Sequence, residues 1–460
     1  YWDDAWHTEE GRDTFFIAPH IALYAGISLA GAALTIWLLR VARARGVRGL
    51  RERPPLLLAL IGMVVALGAA PLDNAWHVAF GRDAVIWSPP HMLGVAGNLA
   101  IAAGLLLELA TQSGRWQRGA AVLAGSAVLA VAVIPVLEYE TDVPQFDLAF
   151  YLPLLAAGAA FALALVRRVL EGEWVAVQVA AVYTVIVSAI ALALELGGMP
   201  GPLIPLLVVP ALVFDLARRR GLGPVATAAS FATAVYAVYV PYLNYVRSDL
   251  FLDAPATILG FPLAFIAVLA ALGLAGLSAT GRRLKFAALA ALVLAVPLAS
   301  AASALAHDPG QGAELTTADV VVRSDGSRAS IEAVPVEHCG DLEPTAVVAR
   351  RAGDTVSSDV ADEAGCELAG QVVLPDRGRW FVYAEFDHGG QAVETWLPVD
   401  AGETEVRRDQ SRSLYRPPEV TSSTAKVISG IAMYAVFLAV LVAVPLLFAR
   451  ARPAAVPPAI

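Results

Sequence analysis

Long apolar runs alternate with short polar segments along most of this chain. Each run is close to the roughly twenty residues that an α-helix needs to cross a bilayer. Eleven such runs lie near residues 21–39, 55–72, 92–111, 119–137, 148–166, 174–194, 202–216, 223–243, 256–279, 284–305 and 425–449. In residues 306–420, short β-branched runs alternate with turn residues, which is typical of a β-sandwich. The pattern predicts an α-helical polytopic membrane protein with about eleven transmembrane helices and a small extracytoplasmic β-sandwich domain before the last helix.

The same pattern divides the chain into four regions. Residues 1–112 form a membrane region that carries two copies of a polar motif, and residues 113–305 supply further transmembrane helices. Residues 306–420 form the β-sandwich domain, and residues 421–460 form a C-terminal transmembrane anchor with a cytoplasmic tail.

The composition agrees with a membrane protein. The chain is 58% hydrophobic and only 16% charged, whereas soluble domains carry about 25% charged residues. Lipid is therefore the expected surrounding. The net charge of -9 argues against nucleic acid as a partner.

Basic residues are distributed asymmetrically between the loops. Arginine clusters follow the first, third, fifth, seventh, ninth and eleventh runs, whereas acidic residues follow the fourth and eighth. Cytoplasmic loops carry the excess of Lys and Arg. We therefore expect a multi-pass protein of the plasma or inner membrane, with its N-terminus and β-domain outside and its C-terminus in the cytoplasm.

The two cysteines, Cys339 and Cys366, both lie in the β-domain region. Two cysteines in an extracytoplasmic segment predict one disulfide. A thiolate metal site and two free thiols are the alternatives.

One polar motif occurs twice. Asp3-Asp4-Ala5-Trp6-His7 returns as Asp73-Asn74-Ala75-Trp76-His77, and seven of eleven positions are identical between 3–13 and 73–83. Each copy closes with a Pro-His pair, at Pro19-His20 and Pro90-His91. The two copies thus hold four of the seven histidines of the chain.

The motif supplies metal-binding side chains at suitable spacing. An Asp and a His four residues apart share one face of a helix, and the His after a proline fits the first turn of the next helix. Two imidazoles, one carboxylate and an open position are a common metal site, and imidazole favours Cu, Zn, Fe or Ni over Mg or Ca. The predicted ligands are Asp3, His7, His20, Asp73, His77 and His91.

A second set of motif residues is expected to support the ligands. A ligating histidine usually donates its other N–H to a carboxylate or carbonyl. Asp13 and Asp83 are candidates for that role, each balanced by the adjacent Arg12 or Arg82. The alternative is structural, because Trp, Arg and Asp at a membrane surface often form anchors and ion pairs without metal.

Both copies resemble a copper-binding membrane subunit of the copper membrane monooxygenases, the particulate methane and ammonia monooxygenase family. One copper site of that subunit has the form Asp-x3-His-x12-His, which Asp3, His7 and His20 match, with Arg12-Asp13-Thr14 in the intervening segment. The second has the form Asn-x3-His-x13-His. The residues at 73, 77 and 91 have that spacing, but Asp73 stands where the family has Asn. The resemblance covers about residues 1–112.

The resemblance implies copper as the cofactor, with zinc as the alternative. It also implies O2 and a small apolar or N–H substrate at an outer-face site, in a complex with partner subunits or with further copies of the chain. A second hypothesis is copper uptake, delivery or sensing without oxygenase activity, and a third is a structural protein whose metal holds helices together. The four methionines form no ladder across the membrane, which disfavours a copper permease.

The β-domain is loosely similar to small extracytoplasmic copper-binding domains and to the soluble copper-binding part of another subunit in the same monooxygenase family. His307, His338 and His388 are its candidate ligands, although the His-x-His motif of that soluble part is absent. His307 follows an apolar run that is also typical of a signal peptide, so cleavage there would make it N-terminal. The alternative is that these are surface histidines without metal.

Overall fold

The structure is a computed structural model that describes residues 1–10, 15–80, 86–112, 114–144, 146–246, 250–276, 313–351, 354–360, 365–417 and 424–451. Its helices are α1 (Trp2–Glu9), α2 (Ala18–Arg51), α3 (Pro54–Phe80), α4 (Pro89–Ala110), α5 (Arg115–Val133), α6 (Leu137–Glu140), α7 (Tyr151–Val169), α8 (Val175–Leu196), α9 (Val208–Arg219), α10 (Pro224–Tyr245), α11 (Ala254–Ala275) and α12 (Thr424–Arg450).

Within those ranges, nine helical segments are long and apolar enough to cross a membrane. One of them runs from α5 into α6, and the other eight are α2, α3, α4, α7, α8, α10, α11 and α12. The predicted polytopic membrane fold is thereby confirmed. The predicted run near 284–305 lies outside the described residues.

The run predicted near 202–216 forms a shorter helix than a full span. Prolines at 200, 202 and 205 cannot donate backbone hydrogen bonds, so 201–206 has no regular secondary structure and α9 is helical over only 12 residues. Partners elsewhere in the bundle satisfy two backbone amides of this segment: the Leu203 amide donates to the Glu140 carbonyl at 2.8 Å, and the Leu206 amide donates to the Tyr239 hydroxyl at 3.0 Å. Irregular backbone at membrane depth is tolerated where protein covers it.

The helices α4 and α7 form the centre of the bundle, and most of their side chains are buried. Small residues let α3 and α4 approach closely, since a Cβ at Gly97 would lie 2.5 Å from the Ala66 amide nitrogen. Such contacts between small residues are typical of packing between membrane helices. By contrast, α2 is largely exposed and packs against α3 through Gly31 and Met63.

The β-domain before the last helix is confirmed as one antiparallel sheet of eight strands in the order β4-β3-β6-β7-β8-β1-β2-β5. Gly370 of β5 lies against Val347 of β3, so the two ends of the sheet meet and enclose one core, as in a barrel. The predicted disulfide between Cys339 and Cys366 is present. The strands are β1 (Ala313–Asp325), β2 (Arg328–Pro335), β3 (Leu342–Arg351), β4 (Asp354–Asp359), β5 (Leu368–Val373), β6 (Gly378–His388), β7 (Ala392–Ala401) and β8 (Thr404–Arg416).

Buried polar contacts dock the β-domain on the membrane helices. Asp142, just after α6, accepts hydrogen bonds from the Arg351 guanidinium and from the Arg379 amide, both at 2.8 Å. The Arg379 guanidinium lies 3.3 Å from a carboxylate oxygen of Glu9, and Arg412 donates to the Glu9 carbonyl. These contacts place α1 and the β-domain on the same side of the helical bundle.

Candidate metal centre

The first copy of the motif folds into two helices whose ligating side chains converge. Asp3 lies in the first turn of α1 and His7 in its last turn, so the four-residue spacing puts both on one face. After the polar segment, α2 begins at Ala18, and His20 lies in its first turn behind Pro19. The predicted helix start at the Pro-His pair is thus confirmed.

The distances between the three side chains suit one metal ion. The Asp3 carboxylate lies 3.1 Å from His20 Nε2 and 3.7 Å from His7 Nε2. One ligand atom from each of the three lies within 4.8 Å of the others. Two ligands of a tetrahedral ion, each about 2.0–2.1 Å from the metal, are about 3.3 Å apart. Small side-chain movements would therefore let all three groups reach one ion.

The electrostatics separate Asp3 from its neighbour Asp4. Burial opposes the ionised form of Asp3, but hydrogen bonds and charge from His20 and His7 outweigh it, holding the pKa of Asp3 well below its usual range. Burial raises the pKa of Asp4. Asp3 is therefore ionised more readily than Asp4.

The three ligand side chains differ in exposure, and that of Asp3 is the least buried. The side chains of His7 and His20 are each 11% exposed, whereas the Asp3 side chain is 39% exposed. The ring of Tyr24 lies 5.8 Å from that of His20 and covers it within α2. The cluster is therefore least buried on the Asp3 side.

Buried polar groups position α1 on the bundle. The Tyr1 hydroxyl donates to Glu140 at 2.6 Å and lies 3.2 Å from the Tyr183 hydroxyl. The sequence pattern identified Glu138, Glu140 and Asp142 only as acidic loop charges. In the structure Glu140 holds α1, Asp142 holds the β-domain, and Glu138 accepts a 2.7 Å hydrogen bond from the Ile86 amide. The close spacing of these three acids beside an apolar run was the sequence feature that could have predicted their buried contacts.

The second copy is assembled in part. Asp73 and His77 lie in the continuous helix α3, and His91 lies in the first turn of α4 behind two prolines. The Asp73 carboxylate is 3.4 Å from His91 Nε2. The side chain of His77 lies outside the described structure, so two of the three predicted ligands are seen together. Arg12, Asp13, Arg82 and Asp83 also lie outside the described residues.

The β-domain brings two of its three candidate histidines together. His338 and His388 meet with their ring centroids 6.1 Å apart, and Asp341 joins them with its ligand atom within 4.8 Å of theirs. His307 lies outside the described residues. Sequence reasoning missed Asp341, although its position three residues after His338 in a turn was a usable signal.

Comparison with models of protein families, with curated proteins and with solved structures finds no significant match to this chain.

Proposed function

We propose that this chain is a multi-pass protein of the plasma or inner membrane that binds copper on its outer face and supports O2-dependent hydroxylation of a small apolar or N–H substrate. The observation that carries the proposal is the convergence of Asp3, His7 and His20 on one point. The resemblance of both motif copies to the copper membrane monooxygenases extends the proposal from metal binding to oxygen chemistry.

Each residue of the first copy has a distinct role in this proposal. His7 and His20 would hold copper through neutral imidazole nitrogens. Asp3 would be the third ligand and would add a negative charge. Bound copper supplies the one-electron and O2 chemistry that no side chain of the protein provides. Hydroxylation by O2 also consumes two electrons and two protons and releases water, so a quinol or a reduced partner protein must donate the electrons.

An apolar cavity beside the second copy supports a small apolar substrate. The cavity has a volume of about 100 Å³ and lies between α4, α5, α7, α11 and α12. Val95 of α4 lines it, one helical turn or about 6 Å along the axis from His91. Pro135 lines it too, and its carbonyl accepts a 3.0 Å hydrogen bond from Trp87, close to the start of α4.

Copper uptake, delivery or sensing is the second candidate function. The exposed cluster of His338, Asp341 and His388 favours it, because a solvent-facing site can exchange metal with other carriers. Both functions require the membrane-proximal cluster to bind metal, and they differ in whether substrate is oxidised.

The first test measures copper in the purified full chain. His7→Ala, His20→Ala and Asp3→Asn each remove one ligand, so each should lower copper affinity at least about tenfold, as even the loss of an outer-shell partner does. Metal content after dialysis and competition with a copper chelator provide the readout. Glu10→Gln is the matched control, since Glu10 is the C-cap residue that follows the same helix and lies outside the cluster. Unchanged copper content in all three ligand variants would rule out the site.

The second test separates the two candidate functions. Copper-loaded protein in lipid nanodiscs is supplied with a quinol, O2 and either ammonia or a small hydrocarbon. We expect hydroxylated product and O2 consumption that both fall in His7→Ala. Full copper loading without product from any substrate would favour uptake, delivery or sensing.

A further inference from the structure

The end of β6 opposite to Arg379 carries the second cluster of ligating side chains. His338 and Asp341 lie in the turn between β2 and β3, and His388 is the last residue of β6. Arg379, which contacts Glu9 and Asp142, lies at the other end of β6. At about 3.3 Å per residue, the strand separates His388 from Arg379 by about 30 Å. This cluster is therefore a separate site from the one formed by Asp3, His7 and His20.

The turn that carries His338 is held in place by several constraints. The backbone of His338 is left-handed, with a φ of 63°, which is uncommon for a residue with a side chain. The Asp341 amide donates to the His338 carbonyl at 2.9 Å, which closes the turn. Cys339 lies between them and is joined by the disulfide to Cys366, just before β5. His338 and Asp341 are thus directed to the same side by a cross-linked loop.

The turn that carries His388 is equally well defined. Gly389 and Gly390 both have positive φ, which permits a tight turn, and the Gly390 amide donates to Asp387 at 2.8 Å. The His388 amide donates to the Gln391 carbonyl at 2.8 Å. Strand pairing places His388 opposite Leu342, the residue that follows Asp341. The sheet register therefore fixes the two turns side by side.

The chemistry of the cluster points to a transition metal. Two imidazoles and a carboxylate suit Zn²⁺ or Cu²⁺ and disfavour Mg²⁺ and Ca²⁺, which prefer oxygen ligands. Bound to one ion, the ligand atoms would lie about 3.3 Å apart, given metal–ligand distances of about 2.0–2.1 Å, and they already lie within 4.8 Å of one another. His338 and Asp341 are exposed, so their side chains can rotate to close this gap while water occupies the remaining position.

We propose that His338, Asp341 and His388 form a second, independent site for Zn²⁺ or Cu²⁺ at the end of β6 opposite to Arg379. Its exposure makes it a site that exchanges metal with the surrounding medium. The proposal does not depend on the membrane-proximal cluster or on any oxygen chemistry.

The test is a calorimetric titration of the full chain in detergent with zinc, which measures the number of zinc ions bound and their affinity. The measurements are made in the unmodified chain and in a His7→Ala/His20→Ala background that removes the membrane-proximal ligands. Two variants probe the cluster. His388→Gln removes one imidazole, and His338→Asn removes the other while keeping a residue that tolerates left-handed backbone. Glu343→Gln is the matched control, because this exposed carboxylate lies two residues after Asp341 outside the cluster.

We expect the background chain to bind one equivalent of zinc at this site, with at least a tenfold loss of affinity in His388→Gln and in His338→Asn but not in Glu343→Gln. Should the background variant fold poorly, the unmodified chain should still lose one equivalent when His388→Gln is introduced. Equal zinc binding by parent and cluster variants in both settings would overturn the proposal. If the background chain binds less zinc than the unmodified chain but keeps the equivalent that His388→Gln removes, the proposal is supported. The difference between the two chains then reports on the membrane-proximal site.

Discussion

Individual buried charges in this chain are held by several partners, and Asp142 is the clearest example. Its backbone is left-handed, with a φ of 60°, and its carboxylate accepts from both Arg351 and Arg379. Removing one member of a buried ion pair leaves the other charge without its compensation, which costs far more than losing an exposed pair. Asp142 therefore links the helical bundle to the β-domain.

We predict that Asp142→Asn lowers the free energy of unfolding by about 3 kcal/mol. Asn tolerates the left-handed backbone, so the change removes charge without adding strain. Chemical unfolding of the detergent-solubilised chain measures the effect.

The control is the exposed ion pair between Glu332 and Arg323, with side chains 48% and 42% exposed. Glu332→Gln should cost less than about 1 kcal/mol. If the two variants lose equal free energy of unfolding, Asp142 does not stabilise the contact between the β-domain and the helical bundle.

At the scale of elements, the packing of α3 against α4 decides the geometry of the second motif copy. Asp73 lies near the end of α3 and His91 at the start of α4, so their 3.4 Å contact depends on how closely the helices approach. Gly62 and Gly97 permit that approach, since a Cβ at Gly62 would lie 2.6 Å from the Gly97 carbonyl. The glycine positions thereby link helix packing to the candidate site.

We predict that Gly97→Ala destabilises the bundle by about 1–3 kcal/mol, because its new methyl group meets the α3 backbone. Gly68→Ala is the control on α3, where the added Cβ meets nothing within 4 Å. That change should be neutral or stabilise the helix by up to about 1 kcal/mol. Thermal unfolding in detergent measures the stability of both variants. A Gly97→Ala protein as stable as the unmodified chain would contradict the close packing of α3 and α4.

At the scale of the whole molecule, the β-domain rests on the short helix that carries two of the proposed ligands. Glu9 ends α1 and contacts Arg379 and Arg412 of the β-domain, while Tyr1 joins the start of α1 to Glu140 of the bundle. The helix that bears Asp3 and His7 is thus held between the two parts of the chain. Its order should depend on both contacts.

We predict that Glu9→Gln loosens α1 without unfolding the protein. Loss of the partly buried ion pair between Glu9 and Arg379 costs about 1.5 kcal/mol, which corresponds to about tenfold faster amide exchange in α1. Hydrogen exchange with mass spectrometry reads the effect peptide by peptide. Glu10→Gln should leave α1 exchange unchanged, and equal exchange in the two variants would show that the β-domain does not order α1.

The sequence alone was sufficient for the features that depend on neighbours along the chain. Apolar run length predicted the membrane spans, two cysteines predicted the disulfide, and the four-residue spacing of Asp3 and His7 placed both on one helix face. Only the tertiary structure showed that the run near 202–216 forms the short helix α9, because partners elsewhere in the bundle satisfy backbone amides of the non-helical segment before it. Only the sheet register joined Asp341 to His338 and His388, and only docking placed Glu9 against Arg379. Such contacts join residues far apart in sequence, so they depend on how strands pair and helices pack, which no local pattern of residues encodes.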